Sequence, residues 1–444
     1  MSLPKLTPKF RLIPLMLALG AALPFAAQAQ SLVQLYEAAK GYDATYLAAK
    51  SQFDATIAKS EQAKAAILPT AGLAISSTST NQEVQPTPAR TYSAQTATIS
   101  ASQPLYRPAN WASYGQGKKA ADLAKAQWEQ ADQDLIVRVT QAYFDVLAST
   151  DNLAFVKSQK TAVGEQLASA KRNFEVGTST ITDSREAQAR FDLVTAQELA
   201  AENDLLVKSL ALKQLVGQQN AQPKPQKAPV VLSPVVPADV NQWVDQSQTK
   251  HPAVQQADVA LEVARLETQK AEAGHKPTLD LVGSYTAANN SGSSASPADS
   301  RVNVATVGLN LNLPLFAGFS TQNRIKETLA LEEKARADLE NAKRSVAQGT
   351  RTAYFGVQSG QAQVLALQAA EASSQSALEA NQLGYQVGVR INIDVLNSQS
   401  QLFDTKAKLA KARYDVLVGG LRLRQASGTL TADDLQSINN QLAQ

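Results

Sequence analysis

The chain carries one motif twice: FEVGTSTITDSREAQARFDL at residues 174–193 and YQVGVRINIDVLNSQSQLFD at residues 385–404. At an offset of 211, Phe174 falls on Tyr385, Val176 on Val387, Gly177 on Gly388, Asp183 on Asp394 and Gln188 on Gln399. Glycine supplies the left-handed backbone that ends many helices, and an aspartate a few residues later marks a helix start. Each copy reads as the tip of a helical hairpin, with Asp183-x-x-Glu186 fitting a capping box.

The repeat extends well beyond the tips. ILPTAGLAIS (67–76) resembles HKPTLDLVGS (275–284), QPLYRP (103–108) resembles LPLFAG (313–318), and TQAYFDV (140–146) matches RTAYFGV (351–357). LKQLVGQ (212–218) echoes LRQASG (423–428). The chain is one unit written twice, 30–221 and 243–428. A proline-rich linker, 222–242, separates the copies, and a tail, 429–444, follows them.

Inside each unit the hydrophobic period changes in the same order. Residues 32–67 and 253–273 are rich in Ala, Gln, Lys and Glu and read as helix. Two alternating, Thr- and Ser-rich stretches follow, giving hairpins over about 70–106 and 278–313. In the last of them Val307, Leu309, Leu311 and Leu313 share one face, Gly308, Asn310 and Asn312 the other. Proline-free stretches then predict long helices over about 111–172 and 320–384. Trp128, Ala131, Leu135, Val139, Ala142 and Val146 form a narrow stripe stepping by three or four, repeated at Leu339, Ala342, Val346, Thr350, Ala353 and Val357. So narrow and alanine-rich a stripe suits a coiled coil packed against partners. After the tips, the return helices run over about 183–216 and 394–427.

The N-terminus fits a secretory signal peptide over 1–29: Lys5, Lys9 and Arg11 precede an apolar run that ends in Ala27-Gln28-Ala29. Three of the 42 basic residues lie there, leaving 39 against 39 acidic ones, so the mature chain is neutral and offers no charge for nucleic acid. With no cysteine, disulfides, thiolate metal sites and an N-terminal lipidated cysteine are excluded. His251 and His275 are too few and too isolated for a metal centre, and no phosphate loop, nucleophile elbow or acid/base pair appears. No enzyme, cofactor or metal is expected.

The strands have the length and alternation of tilted outer-membrane strands. Four of them cannot close a barrel, and open edges in lipid would leave unpaired backbone groups costing several kcal/mol each. Several chains must therefore pool their strands, three of them giving about twelve. The bland alternative is a soluble hairpin packed on helices.

The doubled hairpin, the AYFDVL and AYFGVQ segments at 142–147 and 353–358, and the tips FEVGTSTITD and YQVGVRINID together resemble the TolC family of outer-membrane export ducts. The likeness covers roughly 31–428. It implies an α+β membrane protein: a homotrimer whose twelve-stranded outer-membrane β-barrel, four strands per chain, continues into a long α-helical coiled-coil barrel in the periplasm. It implies a passive exit duct for efflux or type I secretion, partnered by a periplasmic adaptor protein and an inner-membrane transporter.

The resemblance also implies roles at the tips. The mouth would be held by Tyr385 and Arg390 on the inner hairpin against Thr182 and Asp183 on the adjacent one, and Asp394 would form an acidic ring favouring cations. Asn397 stands where a well-known duct of the family has a second aspartate, and its absence would weaken that ring. Gly177, Thr178, Ser179, Gly388 and Val389 would let an adaptor's hairpin approach closely. Tyr92, Tyr106, Trp111, Tyr285, Phe316 and Phe319 lie at expected strand ends, as an aromatic belt would, while Tyr143-Phe144 and Tyr354-Phe355 read as helix packing. The competing reading is a periplasmic coiled-coil adaptor or structural protein. Such a protein carries one helical hairpin between β-rich halves, whereas this chain carries two hairpins.

Overall fold

The computed structural model describes residues 30–85, 87–227, 232, 234–293 and 296–442; the expected signal peptide, 1–29, lies outside them. Two helices dominate, α3 (Pro108–Glu175) and α7 (Ser320–Gln386), of 68 and 67 residues. At 1.5 Å per residue each is about 100 Å long. Pro108 sits in the first turn of α3, where a missing N–H leaves no bond unmade. Helices α4 (Ile181–Val216) and α8 (Asn392–Ala426) fold back along them.

Shorter helices lead into each repeat: α1 (Leu32–Tyr42) and α2 (Ala44–Lys64) in the first, α5 (Val240–Lys250) and α6 (Pro252–Glu272) in the second. The expected continuous helix over 32–67 is therefore broken. The cause is Asp43, which accepts from the Tyr46 amide at 2.8 Å and from two guanidinium nitrogens of Arg138 at 2.9 Å each. That pairing, first of all the guanidinium bond, holds the Asp43 carboxyl below its ordinary value. The second repeat breaks likewise at His251, whose Nδ1 accepts from the Ala253 amide at 3.1 Å. A final helix, α9 (Asp433–Asn439), lies in the tail.

Strands β1 (Thr70–Val84), β2 (Thr87–Tyr106), β3 (Thr278–Ser291) and β4 (Asp299–Asn312) form one antiparallel sheet in sequence order. The hairpin of the first repeat thus pairs with that of the second through β2 and β3. Strands β1 and β4 are the sheet's edges, each with one strand partner among the described residues. No described helix is long and apolar enough to cross a membrane.

The main core sits where the repeats meet their linker and tail. Leu35, Tyr36, Leu135, Ile136, Tyr143, Phe144, Leu212 and Leu435 are all buried there. The duplicated tyrosines do matching work: Tyr143 donates to the backbone carbonyl of Lys224 at 2.9 Å, and Tyr354 donates to that of Ala238. Each copy thereby pins one end of the linker onto a long helix.

Candidate functional site

Two parts of the molecule could conduct or gate, the sheet and the helical tips. In the sheet, register aligns the apolar side chains on one face. Leu73 pairs with Ile99, Ile99 with Tyr285, and Leu281 with Leu309. These residues and Ile75, Val307 and Leu311 are exposed, Val307 at 82% of its surface. A contiguous apolar face on four strands has no aqueous explanation and fits acyl chains. The opposite face is small and polar, with Ser76 and Thr96 hydroxyls 2.8 Å apart and Thr98 and Thr286 hydroxyls 3.0 Å apart. A sheet with one oily and one hydroxyl-lined face is the wall of an aqueous pore.

The expected aromatic belt divides in two. Tyr106, Trp111, Phe316 and Phe319 lie exposed at the helix-proximal ends of the strands, and the Phe316 and Phe319 rings meet edge to face at 5.5 Å. Tyr285 instead lies mid-strand on the apolar face, opposite Ile99. Tyr92 lies on the polar face, its hydroxyl bonded to Gln82 at 3.1 Å. Alternation along the strand, rather than proximity to its end, fixes both positions.

At the tips both glycines adopt the left-handed conformation, Gly177 at φ 80° and Gly388 at φ 77°. The bonds that follow are those of a Schellman ending. The Thr178 amide donates to the Asn173 carbonyl at 2.8 Å, and the Val389 amide to the Gly384 carbonyl at 2.8 Å.

The helix starts differ between copies, and the difference corrects the expected capping box. Helix α4 begins earlier than Asp183: Thr180 is the N-cap and Asp183 is its third residue. The box is Thr180-x-x-Asp183, not Asp183-x-x-Glu186. The Asp183 carboxylate accepts from the Ser179 hydroxyl at 2.7 Å, the Thr180 hydroxyl at 2.9 Å and the Thr180 amide at 3.1 Å. These donors, Ser179 foremost, hold it below the ordinary carboxylate value. In the second copy the N-cap is Ile391, with no side-chain bond to give. Asp394 is thus released from capping, and its carboxylate lies 3.8 Å from Arg390 on the same hairpin.

Within one chain, neither Tyr385 nor Arg390 meets Asp183 or Thr182. Tyr385 packs beside Leu378, Val395 and Leu402, and its hydroxyl accepts from Asn173 at 3.4 Å. Thr182 is exposed, as are Gly177, Thr178, Gly388 and Val389, while Ser179 is half-buried. Sequence reasoning missed several neighbours. Beside Val389, which it named, Val176, Val387 and Ile391 also present exposed apolar side chains around the turns. Asn392 is buried and accepts from Gln166 of α3. Arg190 of α4 donates to Asn397 of α8 at 2.8 Å. Only the polarity of Asn392 between Ile391 and Ile393 could have flagged any of these.

The helices hold together by two kinds of contact. Helices α3 and α4 are linked by ion pairs, Lys157–Glu202 at 3.0 Å and Lys160–Glu198 at 2.6 Å. Helices α3 and α8 are joined by hydrogen bonds: Gln159 to Ser400 at 3.3 Å, Tyr414 to Asp151 at 2.7 Å, Arg422 to Gln141 at 3.0 Å and Gln425 to Asp134 at 2.6 Å. Among the described residues no ion pair joins α3 or α4 to α7 or α8.

The family model for outer membrane efflux proteins matches residues 35–218 and 243–429, both repeats. The chain belongs to the outer membrane efflux protein family. It is 34% identical over 432 residues to the outer membrane protein TolC of Vibrio cholerae, spanning 97% of this chain and 98% of that one. It is 31% identical to the alkaline protease secretion protein AprF of Pseudomonas aeruginosa, over 79% of this chain and 73% of that one. Among solved structures, the CusC channel superposes with a TM-score of 0.79 at 18% identity, covering 90% of this chain and 92% of that one. The outer membrane protein VceC of Vibrio cholerae gives 0.76 at 19% identity, covering 89% and 96%. As a member of this family of channels, the protein is an outer-membrane exit duct for efflux or type I secretion. Its strands lie in the outer membrane and its helices reach into the periplasm.

Proposed function

We propose that three copies of this chain close a twelve-stranded barrel and a helical tunnel beneath it. A periplasmic adaptor would seal that tunnel to an inner-membrane transporter. The observation that carries this reading is the pair of edges β1 and β4 on a sheet with an apolar face. Backbone groups on those edges have no water to bond in lipid, so each edge must find another strand. The relatives' names, an outer membrane protein and an alkaline protease secretion protein, fit a duct of this kind.

At the periplasmic end, Tyr385 and Arg390 of one chain latch against Thr182 and Asp183 of its neighbour. Asp394, with no cap to serve, forms a ring of three carboxylates that draws cations. The turns around Gly177 and Gly388 receive the adaptor. Thr178, Ser179 and Val389 leave room for close approach, and Val176, Val387 and Ile391 offer apolar area to bury.

Single-channel recording in planar bilayers tests the gate. Tyr385→Phe with Arg390→Ser should raise conductance, and Asp394→Ala should lower the cation-to-anion permeability ratio. An unchanged conductance removes the latch, and an unchanged ratio removes the ring. Chemical cross-linking that yields no trimer would remove the assembly.

A further inference from the structure

Segment 313–319 leaves β4 at an edge of the sheet, and its backbone is strained in a way that its own chain does not explain. Phe319 stands at φ 63°, the one non-glycine residue with a positive φ among those described. A bulky aromatic rarely adopts that region, and strain of this kind persists where surrounding contacts enforce it. Yet within the chain the Phe319 ring meets Phe316 edge to face and is 62% exposed, with Phe316 74% exposed. The internal repeat supplies a template for a contact from outside. In the first repeat, Tyr106 at the end of β2 pairs with Leu279 of β3, and the next residue, Arg107, donates through Nε to the buried Asp280 carboxylate at 2.7 Å. By the correspondences QPLYRP–LPLFAG and HKPTLDLVGS–ILPTAGLAIS, Phe316 takes the place of Tyr106, Ala317 of Arg107, Ala71 of Leu279 and Gly72 of Asp280. These four cannot meet within one chain, because β1 and β4 are opposite edges. The ionic clasp is gone from them and the sizes are reversed. An aromatic pair projects from one edge, while Ala71 and Gly72 leave the other open; a Cβ on Gly72 would meet only Ser100 Oγ, at 3.9 Å.

We propose that Phe316 and Phe319 form an aromatic knob that seats on the neighbouring copy, over the partner's Ala71 and Gly72 and beside the partner's exposed Leu68, at the base of the seam between β4 and the partner's β1. The inference rests on the three-chain reading and adds that its two kinds of seam are fastened differently. Within a chain the Arg107–Asp280 ion pair joins β2 to β3; between chains aromatic packing joins β4 to β1. Strand alternation agrees with the placement. Ala71 shares the apolar face with Leu73 and Ile75, so Phe316 lies on the lipid side of the seam rather than in the lumen. Aromatic rings desolvated in a recess of small residues are the kind of contact that anchors an interface. Seating also holds Phe319 in its strained conformation, since a ring released from the neighbour has only Phe316 to meet.

Graded heating in SDS followed by electrophoresis, on full-length protein purified from outer membranes, reads the temperature at which trimer falls to monomer. Phe319→Gly removes the backbone strain, so a strained ring without a partner predicts an unchanged or higher midpoint. The knob predicts a drop of several degrees, and Phe316→Ala should lower the midpoint likewise. Ala71→Phe should also lower it, yet restore it when combined with Phe316→Ala, because the bulk has only moved across the seam. The chain has no cysteine, so Phe316→Cys with Ala71→Cys should give an oxidant-dependent bond between chains. A midpoint that neither Phe319→Gly nor Phe316→Ala moves leaves the rings as anchors in the lipid interface and overturns the knob, as does a loss of outer-membrane abundance at constant midpoint. Trimers that form without the cysteine cross-link overturn it too. A natural protein that yields no trimer removes the three-chain reading, and the knob with it.

Discussion

The Tyr414 hydroxyl of α8 donates to the Asp151 carboxylate of α3 at 2.7 Å, and the Tyr414 ring stacks on Phe144 at 5.3 Å. Burial raises the Asp151 carboxyl above its ordinary value of 3.8, with the Tyr414 bond opposing that rise. Removing the hydroxyl by Tyr414→Phe leaves the half-buried carboxylate short of a donor, a loss of about 1–3 kcal/mol. Thermal unfolding followed by circular dichroism should show the drop. Asp151→Asn, which keeps an acceptor for Tyr414, should cost less. A folded-state value raised above the unfolded one means that stability falls as pH climbs from about 3.8 through the raised value. Asp151→Asn should therefore gain on the natural protein as pH rises through that window.

Asp183 should respond with the opposite sign. Its folded value lies below 3.8, so its stabilisation is complete above 3.8 and is lost as pH falls through the folded value. Asp183→Ala should cost about 1 kcal/mol of local stability at neutral pH. Hydrogen exchange at the first amides of α4 would register the change, and the gap between variant and natural protein should close in acid. A gap independent of pH would remove the carboxylate from the cap.

Glycines at positive φ separate into two kinds. A Cβ at Gly388 meets nothing within 4 Å, so Gly388→Ala should cost only backbone strain, about 1 kcal/mol, and still assemble. At Gly428, φ 70°, a Cβ would lie 2.4 Å from the Cα of His251. Backbone cannot yield there as a side-chain end can, so Gly428→Ala should fail to reach the outer membrane in folded form. Membrane fractionation distinguishes the two.

On the sheet, Leu309→Arg places a charge on the apolar face and should destabilise insertion by roughly 2–4 kcal/mol per chain. Thr306→Arg, on the polar face, should insert normally and narrow the pore. Outer-membrane abundance should fall for the first variant, and conductance alone for the second.

Much of this architecture was readable because it is periodic. Alternation at Val307, Leu309 and Leu311 gave the membrane face, and the long proline-free runs gave α3 and α7. What escaped was set by single side chains acting at a distance in sequence. Asp43 breaks a helix because Arg138 lies opposite it, and no local pattern announces that pair. Thr180 rather than Asp183 caps α4, a shift of one turn that propensity alone does not fix. The partners of Asn392 and Asn397 lie on another hairpin, so their roles become visible only once the two hairpins are laid together.

The unpartnered edges of β1 and β4 have a genetic consequence. In the proposed trimer, a copy whose edge strand cannot pair would not simply be lost; it would take a place in the assembly and strand its healthy siblings. In a cell expressing both forms, such an allele should act dominantly, whereas a defect confined to the core of one chain should be recessive.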